Sequence, residues 1–483
     1  MSMSLPIKFR KMFALIMASL CLALTVEVSG QELQTLVANL KSPDVNTRRK
    51  AAKELGNRRQ REAAEPLAEA IRTDSDAEVR SNALRALGLI KSFEVLPTMI
   101  DALKKDASAD VRKAALLALV NLYIEKDIGF ITSRRKGLNI LNPFLDTDGS
   151  AIIDQNVEVN PDIIEAIAEA MRNDADEDMR IGAVRALGVL RAISATPKLV
   201  DALSIDKSVR VDVLRTFIKF GISDHGKYAI PYFNDGDAGV RSQAIEAAGL
   251  LRTLEAVPEL INIYHLGEEK RGVIGTVKGT FKGLPERQKL TLRALSLIGA
   301  PKAETIFLDN IRHPDEDRRQ YAYEGLARLG DKKHEEQILA SYLSEKKANV
   351  KLAQAFALYK LSSNKYVIPI VEKLDSVTLD NQAYEYLFEI KPDDLYPYLR
   401  QGGMKARTKM VEVLGKTGDA KAIERLNPLL KSSDSNYVNA VNLAIERIKA
   451  REGLATKEPQ QTEQTNKEEE KSEGRPRRVK KPY

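Results

Sequence analysis

A short pattern, D-x-x-V-R-x-x-A-x-x-A-L-G, recurs along this chain and decides what it can fold into. It reads SPDVNTRRKAAKELG at 42–56, DSDAEVRSNALRALG at 74–88 and DASADVRKAALLALV at 106–120. It returns as DADEDMRIGAVRALG (174–188), SIDKSVRVDVLRTFI (204–218) and DGDAGVRSQAIEAAG (235–249), with weaker copies at 313–330, 347–361 and 403–415. The arginines fall at 48, 80, 112, 180, 210, 241, 319 and 407, with Lys351 in the same slot, and neighbouring spacings are mostly 30 to 32 residues. A period of that size marks a stack of small units, each unable to bury its apolar face alone.

Each copy leads into a second periodic segment carrying proline, such as SFEVLPTMIDALKKD (92–106), AISATPKLVDALSID (192–206) and TLEAVPELINIYHLG (253–267). Leu96, Met99, Ile100 and Leu103 lie at i, i+3, i+4 and i+7, one face of an amphipathic helix. Proline is tolerated in a first helical turn, where its missing N–H has no partner to lose. Gly88, Gly188 and Gly249 are expected to end the first helix in the left-handed conformation. The unit is therefore helix A, a turn and helix B. With no Trp and 6% aromatics, the prediction is an all-α chain, a right-handed α-solenoid of about twelve stacked helix–turn–helix repeats. LQTLVANLKSPD (33–44) matches helix B without its helix A, as an N-terminal cap would, and 440–453 closes the array.

This consensus, followed by A-x-P-x-L-x-x-A-L, resembles HEAT repeats and is most similar to the subgroup called phycobilisome-lyase HEAT-like. The resemblance runs over roughly residues 33–452. It implies a solenoid, a shape on which many functions are built. Deoxyhypusine hydroxylases, built on related repeats, hold two irons with several His-Glu pairs. Here only His334-Glu335 occurs, on a helix face that reads as exposed, so that activity is not implied. The bilin lyases that give the subgroup its name leave open an enzyme or chaperone-like factor acting on a cofactor-bearing protein.

Residues 1–30 read as a signal peptide. Lys8, Arg10 and Lys11 precede the apolar run Met12–Val26, and Val28-Ser29-Gly30 supplies small residues at a cleavage point. The run is short for a membrane span, and an uncleaved N-terminal anchor is the alternative. Export to the periplasm or beyond is the expectation. The single cysteine, Cys21, leaves with that segment, so no disulfide staples the mature chain. The formal charge is +7, and removing three basic groups and one acidic leaves +5. That balance does not favour nucleic acid.

Two insertions break the period, at 125–160 and 266–286, and chain order places them on opposite edges. Asp146, Asp148 and Asp154 lack the full calcium-loop spacing, and Arg134, Arg135 and Lys136 read as a solvated basic turn. Gly272, Gly275, Gly279 and Gly283 alternate with Arg271, Lys278 and Lys282 without the phosphate-loop pattern. Domain 31–453 is the solenoid. The segment 454–483 has the composition of a disordered tail, ending in Arg475, Arg477, Arg478, Lys480 and Lys481, which suit an anionic surface.

Asp stands four residues before Arg in six of the eight arginine copies. A catalytic residue is needed once, a structural one in every layer. Asp44, Arg48, Asp76, Arg80, Arg112, Asp176, Arg180, Asp206, Arg210, Asp237, Arg241, Asp315, Arg319 and Arg407 are therefore assigned to a structural ladder. In it Asp caps helix A, while Arg bonds that Asp and the carbonyls of the adjoining turn. The sequence carries no H-E-x-x-H and no nucleophile elbow, and no catalytic, metal or cofactor site is assigned. The functional expectation is a non-enzymatic scaffold binding a protein or peptide on a concave face of stacked B helices. Thr98, Asp101, Lys198, Asp201, Glu259 and Asn262 are the candidate contacts.

Overall fold

In a computed structural model of the chain, the described residues are 31–124, 153, 157–273 and 284–454, with backbone alone for 267–273 and 284–285. The signal segment, most of the 125–160 insertion and the basic tail lie outside them. The chain is all-α, and no described helix is long and apolar enough to cross a membrane. It divides into two compact units, one ending at Met410 and one starting at Val411.

The first unit is the expected α-solenoid. A leading helix, α1 (31–39), is followed by A helices α2 (Val45–Arg58), α4 (Ala77–Ile90), α6 (Ala109–Asn121), α8 (Glu177–Val189) and α10 (Arg210–Phe220). The next are α11 (Ala238–Leu250), α13 (Leu284–Ile298), α15 (Glu316–Leu329), α17 (Ala348–Leu361) and α19 (Asp380–Leu387). The B helices between them include α3 (Ala64–Thr73), α5 (Leu96–Lys105), α7 (Pro161–Asn173), α9 (Thr196–Ile205) and α12 (Val257–Val273). α14 (Glu304–Asn310), α16 (Glu335–Ser344), α18 (Val367–Val371) and α20 (Pro392–Leu395) complete the B row. After α10 a 3₁₀ stretch, Ser223–Tyr232, stands where a B helix would be. α12 continues to Val273 and α13 begins at Leu284, so helix enters the expected 266–286 insertion from both sides.

Each A helix packs on the next A helix, and the close approach is made by small residues. A Cβ on Gly56 would meet Ala86 Cα at 2.7 Å; one on Gly88 would meet Ala118 Cα at 2.8 Å, and one on Gly249 Ala294 Cα at 2.7 Å. This corrects the role assigned to Gly88, Gly188 and Gly249, which lie inside their helices. The left-handed residues fall three positions later, at Lys91 (φ 57°), Arg191 (φ 43°) and Arg252 (φ 54°). Interlayer distance, rather than chain reversal, requires Gly88 and Gly249, while a Cβ on Gly188 would meet the Thr216 hydroxyl at 3.0 Å. Pro97 and Pro197 do sit in the first turn of α5 and α9, as expected. Leu84, Leu87, Met99 and Leu103 are fully buried in the layer between the rows.

The close A-to-A packing also fixes the direction of curvature. In a bent stack the elements on the inside are nearer one another, and here that is the A row. Contacts that skip whole layers confirm it: Arg252, just past α11, meets Glu389, just past α19, at 3.0 Å. The inner face is thus built from A helices. The expectation of a concave B-helix face is corrected.

The second unit holds the end of α21 (Met404–Thr417), then α22 (Ala420–Leu426) and α23 (Ser435–Arg451). Asp434 caps α23 through the Tyr437 N–H at 2.9 Å. Arg451 donates to the carbonyls of Gly415 (3.1 Å), Lys416 (3.0 Å) and Gly418, satisfying the open end of α21.

Candidate functional site

Two polar rows run through the first unit, one at the layer edge and one on the inner face. The edge row contains the repeated Asp and Arg. Asp44, Asp76, Asp176 and Asp237 accept the N–H three residues on, at 2.8 to 3.0 Å, while Asp315 accepts from Asp317 and Arg318. Asp206 caps a 3₁₀ turn through Ser208. The first N–H groups of a helix have no intrahelical acceptor, and a carboxylate there also meets the positive end of the dipole.

The arginine does not pair with that capping Asp. Arg80 sends Nε and Nη2 to Asp106 of the next layer, both at 2.8 Å, and Nη1 to the carbonyls of Asp74 and Ser75 at 2.9 and 3.2 Å. Arg48 grips Asp74 and Arg112 grips Asp174 in the same two-pronged way. Arg180 bonds Asp206 at 2.7 Å and Arg210 bonds Asp235 at 2.6 Å. Further on Arg319 faces Glu345 at 3.4 Å, and among the described residues Arg407 bonds only the Gly402 carbonyl, at 3.0 Å. At Asp74/Asp76, Asp174/Asp176 and Asp235/Asp237 the later Asp caps its own helix and the earlier one closes the layer before, whereas Asp206 does both. Burial pushes the Asp106 carboxyl up, but bonds from Arg80 and the Ser108 N–H outweigh it and hold the group below its usual range. Arg49 reaches across to the capping Asp76 at 2.6 Å and, with the Val79 N–H, holds it at about 2. Where the last copy has Gly403 in place of Asp, Asp375 of the preceding layer accepts from the Gly403 and Ala406 N–H groups.

The inner row was not foreseen. Nine positions after the six capping Asp residues stand Lys53, Arg85, Arg185, Arg215, Glu246 and Glu324, side chains of the inner face. Arg185 bonds Asp212 at 2.7 Å, Arg215 bonds Gln243 at 3.1 Å, and Arg293 of α13 reaches Glu246 at 3.3 Å. From there the row converges on a cluster. Arg328 lies 2.8 Å from Glu389 and 3.5 Å from Glu324. The Tyr386 hydroxyl donates to Glu324 at 2.5 Å, and Lys360 stands 3.9 Å from Glu389. Burial raises Glu246 above its usual range and carries Glu385 to about 7, with Glu324 adding to the rise and Arg293 opposing it. Glu389 is also raised by burial, but Arg328 and Arg252 outweigh that and leave it lowered. Perturbed groups gathered like this mark functional sites and structural networks alike. Here most of the charges are bonded to a neighbour in another layer.

Arg85 differs from the rest of the row. It is exposed, and among the described residues its one side-chain bond goes to Asn82 at 3.2 Å, with Leu89 38% exposed one turn further along the same face.

The B-row candidates lie on the outer side. Asp101, Asp201 and Asn262 are exposed; Thr98, Lys198 and Glu259 are half-buried. Several are tied to neighbours: Thr98 accepts from Arg72 at 2.8 Å, Lys198 pairs with Glu165, and Glu259 accepts from Asn234 at 3.1 Å. They do not converge on a pocket. Arg475, Arg477, Arg478, Lys480 and Lys481 lie outside the described residues, as do Asp146, Asp148, Asp154 and the loop glycines 275, 279 and 283. His334 is buried rather than exposed, and it meets Glu304 at 3.1 Å instead of Glu335. Asp331 completes a three-residue group of metal-ligand type there. The Lys333 ammonium already sits 2.7 Å from Glu304 and 2.9 Å from Asp331, so the position is occupied by a cation of the chain itself.

The sequence profile of HEAT repeats matches residues 33–120. No curated protein is similar at a significant level. Among solved structures, the karyopherin Kap121p bound to the extreme C-terminus of the protein phosphatase Cdc14p is similar at TM-score 0.38 and 13% identity, over 92% of this chain and 53% of that one. Kap121p alone gives 0.38 and 13%, over 87% and 50%. The complex of CpcE and CpcF of phycocyanin lyase from Nostoc sp. PCC7120 gives 0.22 and 16%, over 68% and 94%. The chain spans about half the length of the karyopherins it matches, and likeness at this level carries no functional argument.

Proposed function

We propose that this HEAT-repeat protein is a non-enzymatic scaffold that binds a protein or peptide along the inner face of its A helices between α4 and α10. The observation that carries the reading is the inner row itself. Arg85, Arg185 and Arg215 stand in the same register on α4, α8 and α10, with Leu117 in that place on α6, and Arg85 and Leu89 are exposed. A regular row of that kind suits a partner lying along the stack. The B-row residues, exposed or half-buried and in part tied between layers, are a secondary surface.

Export to the periplasm or beyond is part of the proposal and rests on residues 1–30. The basic tail is proposed to hold the scaffold to an anionic surface of lipid or polymer.

The test is affinity capture from the protein's own cell envelope with the mature chain, the Arg85→Glu variant, and a chain ending at Gly453. Specific protein partners retained by the first and lost by the second support the reading. Retention by both variants alike would place the binding surface elsewhere, and the absence of any protein partner would sink the scaffold.

A second reading, a factor acting on a cofactor-bearing protein, is favoured by one feature, the half-buried Glu385 with Tyr386 and Arg328 nearby. A Glu385→Gln variant that folds normally, keeps its partners and loses a chemical product would establish it in place of the first.

A further inference from the structure

Five successive layers show the same closure: the arginine fork of one layer is filled by an aspartate of the next, from Arg48 with Asp74 to Arg210 with Asp235. The sixth layer breaks the rule. Arg241 makes the usual carbonyl bonds, Nη1 to Asp235 at 2.6 Å and to Gly236 at 3.0 Å. Among the described residues no carboxylate reaches its Nε or Nη2.

A second guanidinium converges on the same loop. Arg287, in the first turn of α13, donates Nη2 to the Phe233 carbonyl and to Asn234 Oδ1, both at 2.8 Å. Its Nε is buried without an acceptor. Burial first, and then the neighbouring Arg241 charge, hold Arg287 below its usual range, with Glu259 opposing them. The nearby acids are already engaged. Asp235 is held by Arg210 at 2.6 Å and by the Asp237 N–H at 2.8 Å. Glu259 accepts from Asn234 at 3.1 Å and from Asn262 at 3.4 Å.

We propose that Arg241 and Arg287 form a binding site for an external carboxylate, which completes a rung that no carboxylate among the described residues fills. The five closed rungs show what this fork takes: a planar carboxylate, gripped by two N–H donors in the best-formed cases. A dianionic phosphate fits less well, because Glu259 stands close by. The site does not rest on the scaffold reading. A free dicarboxylate and a glutamate side chain of a bound peptide have the same chemistry.

The experiment is isothermal titration of the full mature chain with glutarate, with an acetylated Glu-Glu-Gly peptide, and with inorganic phosphate, at low and high salt. Saturable binding of a carboxylate is expected, weakened at high salt. Arg241→Gln and Arg287→Gln should each weaken it about tenfold or more, the loss expected for bonds to a charged group, while Arg61→Gln, at an exposed arginine on another layer, should leave it unchanged. Tighter binding of the peptide than of glutarate assigns the source to a protein partner; the reverse assigns it to a small metabolite. Because Arg241→Gln also removes the bonds to the Asp235 and Gly236 carbonyls, circular dichroism accompanies each titration, and Arg241→Lys, which keeps charge but loses the fork, serves as the second variant. No saturable carboxylate binding, binding indifferent to both glutamine variants, or phosphate binding as tight as carboxylate would overturn the proposal. So would a Glu268→Gln/Glu269→Gln chain that binds glutarate more tightly than the natural one, since the rung would then be closed from within.

Discussion

The layers from α2 to α10 and those from α11 to α19 are built on one repeat, yet they place their charges differently. The first group distributes them: each edge rung joins one layer to the next and no further. The second gathers them, so that Arg252, Arg328 and Glu389 tie together helices separated by several layers. A stack held by nearest-neighbour rungs behaves as a chain of nearly independent interfaces. A stack with a shared buried cluster must open as a block. The repeat sets the architecture, and the placement of a few charged side chains sets how far cooperativity reaches.

The largest test of this contrast is Arg328→Ala. Its side chain is 7% exposed and lies between Glu324 and Glu389. Its removal strands buried carboxylates, at a cost of roughly 3–5 kcal/mol. Hydrogen exchange should rise together across α11 to α19; faster exchange confined to α15 would break the contrast.

Arg80→Ala is expected to cost about 2 kcal/mol, between the values for exposed and fully buried pairs. Faster exchange should stop at α4 and α6. Spread into α10 would show that the rungs are coupled after all.

Next in size is a pH effect. Glu385 is raised to about 7 against an ordinary 4.5. A raised acid contributes stability that is complete below the ordinary value and lost as pH rises through the folded one. Thermal stability of the α11–α19 block should fall between pH 5 and 8, and Glu385→Gln should flatten that slope. A slope unchanged in Glu385→Gln would remove Glu385 from the account.

The smallest effect is expected for Asp237→Ala, which removes a cap without breaking an ion pair and costs about 1 kcal/mol. Exchange at the start of α11 reads it.

The repeat was legible in sequence because layer packing imposes the same residues at the same place many times. The pairing of the ladder was legible in part. The capping role of Asp76 followed from its place before a helix, but the Arg80 partner did not. The signal was present in the D-x-D of copies such as Asp74-x-Asp76 and in the constant separation of 26 residues from Arg48 to Asp74, Arg80 to Asp106 and Arg180 to Asp206. The inner cluster was hidden for a different reason. Each layer contributes one or two residues to it, and their signs differ, so no consensus letter records it. Reading a single column, nine positions after the cap, brings out Arg85, Arg185, Arg215, Glu246 and Glu324. Gly88 was misread because glycine near a helix end has two uses, and only the distance to Ala118 tells them apart.

The glycine–alanine contacts between A helices have a mechanical consequence. Backbone meets side chain there with no room left, so the inner side of the stack can neither shorten nor be filled. The outer side is joined by long, solvated pairs such as Lys41–Glu69 and Lys104–Glu169, which stretch at little cost. Any flexing of these layers therefore pivots on the glycines and is taken up on the B side. The inner row keeps its interval while the array bends, as graduations keep theirs on a steel tape.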